Sequence, residues 1–117
     1  MTGKTGRPAP AAQPTVQVDN ERVKVTEWRF APGAATGWHR HAYDYVIVPL
    51  TSGRLRLSDG KAETEAELVA GRSYFRPAGV EHDVVNANDC DFAFVEVEIK
   101  TPARPASPRL RRGGSRA

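Results

Sequence analysis

The chain has 117 residues, room for one domain but not for two comfortable ones. No apolar run approaches the roughly 18 residues of a membrane helix, and a single cysteine, Cys90, rules out an internal disulfide framework. The formal charge of +3 misleads: residues 16–100 hold 10 basic and all 14 acidic residues, a balance of −4, while the two flanking segments hold the other 7 basic residues.

In chain order, residues 1–15 are rich in Gly, Pro, Ala and polar side chains and lack apolar periodicity, which predicts a solvated N-terminal arm. Its Gly3-Lys4-Thr5-Gly6 has the letters of a phosphate loop without the spaced first glycine or a preceding strand. Short β-rich segments follow at 23–30, 43–50, 54–58, 62–69, 72–76, 82–86 and 92–100. Turn residues separate them: Pro32-Gly33, Ser52-Gly53, Asp59-Gly60, Ala70-Gly71, Pro77-Ala-Gly79 and Asn86 to Asp89. Asp59-Gly60 is the clearest hairpin signal. Residues 61–70 are rich in Ala and Glu and rival it as a helix, but the hairpin context favours strand.

In 92–100 the alternation puts Ala93, Val95, Val97 and Ile99 on one face and Phe92, Phe94, Glu96 and Glu98 on the other. The aliphatic set is expected inside. The two phenylalanines then need a cover, either a second sheet or a partner subunit, which hints at a homodimer. Residues 101–117 carry Pro102, Pro105 and Pro108 with Arg109, Arg111, Arg112 and Arg116, and predict a basic solvated tail. Evenly spaced short strands without a convincing helix make the domain, 16–100, an all-β sandwich or barrel.

All three histidines of the chain lie in two strand-like stretches, Gly37-Trp-His39-Arg-His41 and Gly79-Val-Glu-His82. Residues two apart on a strand share a face, so His39 and His41 point the same way, and His82 is the one imidazole left to join them. Three neutral imidazoles suit a divalent transition metal such as Zn, Fe, Ni, Cu or Mn. With no cysteine pair and no further histidine to close it, the site stays open to water or substrate. The blander reading makes the three histidines hydrogen-bonded core residues. Pro77 and Gly79 set the turn that carries His82 inward. Asn86, on the same strand face, either holds a neighbouring loop or faces the site. Trp28, Trp38 and Phe30 read as core or pocket wall. Arg40 should point away from its histidine neighbours, and Arg54, Arg56 and Arg76 are default surface positions that would suit a carboxylate substrate.

Gly71, Pro77, Gly79, His82 and Asn86 resemble the complete second motif of the cupin superfamily, and Gly33, His39 and His41 resemble the opening of its first. The glutamate that follows in the first motif is missing: Tyr45 stands there, with Asp44 just before it, and Gly53 closes the motif one residue late. The wording around both motifs is also similar to small bacterial cupins associated with β-alanine degradation.

The resemblance implies a cupin-type double-stranded β-helix, a jelly-roll barrel, with His39, His41 and His82 as metal ligands. Tyr45, Asp44 or Asn86 would serve a fourth position or the pocket, and Fe(II) is favoured over Zn, Ni or Mn. It implies a metal-dependent small-molecule enzyme, with dioxygenase-like chemistry on a small carboxylate or thiol as the first reaction to test. The alternative is a non-catalytic metabolite-binding module. A homodimer in the cytoplasm is expected, with no membrane partner and no specific nucleic-acid partner; charge-driven binding through the tail ranks last.

Overall fold

The computed structural model describes residues 9–100. They form nine strands: β1 (Gln13–Asp19), β2 (Val23–Phe30), β3 (His39–Arg40), β4 (Asp44–Pro49), β5 (Gly53–Ser58), β6 (Glu63–Leu68), β7 (Tyr74–Arg76), β8 (Glu81–Asn86) and β9 (Phe92–Ile99). Two sheets result, ordered β1-β2-β9-β4-β7 and β3-β8-β5-β6, and every strand pairing in them is antiparallel. Among the described residues no helix is long and apolar enough to cross a membrane.

Seven of the nine strands lie where periodicity put them. The β5–β6 hairpin turns at Asp59-Gly60, where the Asp59 carboxylate accepts the Lys61 and Ala62 amides at 2.9 Å and Gly60 takes φ 92°. Residues 61–70, where helix propensity competed, give β6. Their charged face is exposed while Ala66 and Leu68 turn inward, so pairing with β5 decides the outcome over local preference.

Three expectations need correction. The arm was expected to reach residue 15, yet β1 begins at Gln13 and pairs with β2 from Gln13↔Arg29 onward. This edge strand is exposed along its whole length and is held through backbone bonds that leave no hydrophobic period to read. Residues 10–12 depart from a solvated arm as well: Ala12 is buried and its amide donates to Ala35 O at 2.9 Å, while the Ala35 amide donates to Pro10 O at 2.9 Å. Residues 1–8 of the expected arm and the basic tail, 101–117, lie outside the described residues.

The second correction concerns β9. Phe92 and Phe94 are buried against Phe30 in the core, with ring centroids of Phe30 and Phe94 5.4 Å apart. Phe94, Glu96 and Glu98 line the cavity between the sheets, while Val95, Val97 and Ile99 take the outer face. Both faces of β9 carry apolar residues, so alternation alone could not choose. The phenylalanines fill more core volume than the valines, and the cavity gives the carboxylates polar neighbours. The expected cover for the phenylalanines is thus this chain's own second sheet. Trp38, expected in the core or pocket wall, is instead 54 % exposed, at the β5–β6 turn beside Gly60.

Core residues from both sheets, among them Phe30, Leu55, Ile47, Leu68 and Val84, pack together. Ile47, Leu55 and Val84 also line a cavity of about 430 Å³ between the sheets.

Candidate metal centre

β3 is only two residues long, and tertiary bonds fix it. His39 lies directly opposite His82 in the β3–β8 register. His41 follows the strand end, where its amide donates to Val80 O at 2.8 Å and its carbonyl accepts the Gly79 amide at 2.8 Å. Upstream, Gly37 adopts φ 84° and donates to Asp83 Oδ1 at 3.1 Å, and Thr36 Oγ1 accepts the Val84 amide at 3.1 Å. That left-handed backbone angle, which L side chains resist, is open to glycine and bends the loop onto β8. Both histidine segments are therefore locked to the same two strand ends.

The three rings converge. His41 Nε2 lies 3.0 Å from His39 Nε2 and 3.1 Å from His82 Nε2, and the three rings meet edge to face. His39 Nδ1 sits 2.9 Å from Gly37 O, so it donates there and leaves Nε2 as a lone pair facing the cluster. Burial, then the neighbouring His39 and His82, pushes His41 down to about 4. Burial, then His39, takes His82 to about 4 as well. Neutral imidazoles crowding their lone pairs together repel one another unless a proton or a cation sits between them. Three converging nitrogen donors, deprotonated at neutral pH and facing a cavity, fit a divalent transition ion.

The other nominated residues go to different places. Tyr45 is buried on β4 and stacks face to face on His41, ring centroids 3.9 Å apart and 19° from parallel, so it walls the imidazole rather than pointing end-on at the cluster. Burial raises its phenol to about 12. Asp44 points to the surface and accepts the Ala78 amide at 2.8 Å, fixing the Pro77-Ala-Gly79 turn. Asn86 is 2 % exposed and serves the loops. Its Nδ2 donates to Phe30 O, Ala31 O and Cys90 O at 3.2, 3.1 and 2.9 Å, and its Oδ1 accepts from the Asn88 amide at 2.9 Å. Arg40 extends to Glu81 at 3.5 Å and Arg54 to Glu65 at 3.9 Å.

One residue at the site went unnominated. Glu96, on the inner face of β9, places Oε2 3.5 Å from His41 Nδ1 and accepts the Trp28 indole N–H at 3.1 Å. Burial drives its carboxyl up to about 7, against the lowering effect of the Trp28 hydrogen bond. Because His41 is lowered to about 4 and is neutral at pH 7, its contact with Glu96 is not an ion pair there. The signal available in the sequence was a glutamate sharing a strand face with Phe92 and Phe94, once that face is known to be inside.

A match to the family described as cupin domain spans residues 26–98. The chain belongs to the cupin family. This cupin is 63 % identical over 91 residues to the beta-alanine degradation protein BauB of Pseudomonas aeruginosa, covering 78 % of this chain and 96 % of that one. A cupin domain from Bordetella pertussis Tohama I superposes with a TM-score of 0.80 at 58 % identity, over 82 % of this chain and all of that one. A double-stranded β-helix protein from Klebsiella pneumoniae, 22 % identical, has the same fold with a TM-score of 0.66, over 87 % of this chain and 89 % of its own.

Proposed function

We propose that this cupin is a metal-dependent enzyme acting on a small molecule. His39, His41 and His82 would hold a divalent transition ion, Fe(II) first. The observation that carries the proposal is the meeting of three imidazole nitrogens, at 3.0 and 3.1 Å, on the wall of a cavity. Three imidazoles would leave further positions of the ion open to water or substrate. Such an ion supplies Lewis-acid and one-electron chemistry when bound. The chain's own part is to orient and shelter the substrate. Trp28, Ile47, Leu57 and Phe94 give the cavity apolar walls, and Tyr45 holds the His41 ring from one side.

Oxygenation of a small carboxylate or thiol is the first reaction to test. BauB's name places that relative in β-alanine degradation, which supports a small carboxylate over a sugar or an aromatic. The single cysteine supports a reducing, cytoplasmic setting. The test is elemental analysis of protein purified without added metal, beside a His82→Ala variant, followed by oxygen uptake with candidate carboxylates and thiols. About one ion per chain, lost in the variant, is expected. A wild type devoid of metal, or a variant that keeps it, would overturn the metal reading. Metal with tight ligand binding but no product would leave a binding module.

We also propose a second copy of this chain as partner. On the outer face of the five-stranded sheet the register aligns Val18, Val25, Val97, Val46 and Phe75 in one row across all five strands. Val18 is 41 % and Phe75 52 % exposed. The row is centred on Val97 with a valine on each side, so a two-fold axis along β9 would set its valine wing against the phenylalanine wing of the other copy.

A further inference from the structure

The inner face of the same sheet carries a different row at the cavity mouth. Lys24 is the register partner of Glu98, Glu98 of Tyr45, and Tyr45 of Arg76, and all four line the cavity. Directly opposed residues keep their Cβ atoms about 5 Å apart, so Lys24 has a carboxylate beside it. Arg40, the other lining cation, reaches Glu81. Arg76 differs from both. Its cross-strand neighbour is Tyr45, its guanidinium carbon lies 4.6 Å over the Tyr74 ring, and Nη1 donates to Phe75 O at 3.1 Å. Among the described residues no carboxylate pairs with it.

Arg76 is exposed at the cavity mouth, and these contacts leave most of its five N–H donors unspent. Arg76 is the register partner of Tyr45, whose ring stacks on His41, and it lines the same cavity as the three histidines. We propose that Arg76 anchors the carboxylate of a small monoanionic substrate whose other end meets the three histidines; only the second half of this rests on reading that cluster as a metal centre. Glu98 on the same wall would repel a second carboxylate, which makes the ligand a monoanion. The cavity of about 430 Å³, with its apolar lining, has room for an aliphatic body beside that carboxylate.

The experiment is calorimetric titration of the full chain, as purified, with propionate, butyrate and valerate and with their primary amides. The same series is run on Arg76→Gln, Arg76→Lys, the exposed control Arg72→Gln, and His82→Ala. Wild type and Arg72→Gln should prefer each acid over its amide by about tenfold, the worth of a charge-assisted pair. Arg76→Gln should erase that preference and Arg76→Lys should keep part of it. If His82→Ala keeps the preference and Arg76→Gln loses it, the anchor stands whether or not the protein carries metal. A preference that survives Arg76→Gln but vanishes in His82→Ala would place the carboxylate on the ion and overturn the proposal. Amides binding as well as acids to wild type, or neither binding, would overturn it too.

Discussion

At the scale of single residues, the site turns on which nitrogen of each imidazole faces the centre. His39 has its tautomer set by the Gly37 carbonyl at 2.9 Å, and for His41 the group on the far side of the ring is Glu96. A carboxyl there can accept from Nδ1–H and so leave Nε2 free as a donor atom. Glu96→Gln keeps an oxygen for the Trp28 indole but turns an amide N–H₂ toward Nδ1, favouring the opposite tautomer with a proton on Nε2. We expect metal affinity to fall about tenfold or more, measured by competition with a chromogenic chelator, while the thermal midpoint of the metal-free protein stays near wild type. An unchanged affinity would show that His41 orients without Glu96. Asn86 behaves differently, since every partner it has is a backbone or loop group. It belongs to the second motif by spacing, yet its role is to tie the β2 exit to the β8–β9 turn.

At the scale of elements, the strands and the histidine segments were legible because turn chemistry and period-two patterns are local. The hairpin at Asp59-Gly60 and the turn before His82 can be read from a few adjacent residues. β1 could not be read, because an exposed edge strand is specified by its neighbour's free backbone edge rather than by its own side chains. Glu96 was hidden for a related reason: β9 is apolar on both faces, and only the opposing sheet decides which is inside. The reassigned outer face carries its own expectation. Val97 sits at the centre of the row that crosses β1, β2, β9, β4 and β7. Val97→Lys on that face leaves the inner core untouched, so sedimentation should show wild type as a dimer and the variant as a folded monomer at micromolar concentration. A monomeric wild type, or a variant that stays dimeric, would reject the sheet face as the interface.

At the scale of the whole molecule, the buried His41 and Glu96 and the half-buried His82 link folding to pH in opposite senses. His41 and His82 have pKa values lowered from 6.5 to about 4, so below 6.5 an unfolded chain takes up two protons that the fold refuses. Their contribution to stability is present above 6.5 and is lost as pH falls toward 4. Glu96 is raised from 4.5 to about 7, so the fold holds a proton there that the unfolded chain releases, and its contribution is lost as pH rises through 7. Between 4.5 and 6.5 the unfolded state therefore binds one proton more in net, and stability must fall on acidification. Partial exposure of His82 softens the slope through solvent screening. Replacing His82 by alanine removes one of the two refused protons, which leaves His41 and Glu96 to offset each other over that window. Thermal unfolding of metal-stripped protein at pH 6.5 and 5 should thus show a drop for wild type and a nearly flat response for His82→Ala. A bound ion adds to the acid sensitivity of wild type alone, because protons and metal compete for the same lone pairs. If metal-stripped wild type grew more stable toward pH 5, or if His82→Ala fell as steeply as wild type, the imidazoles would not be the groups that couple this fold to protons.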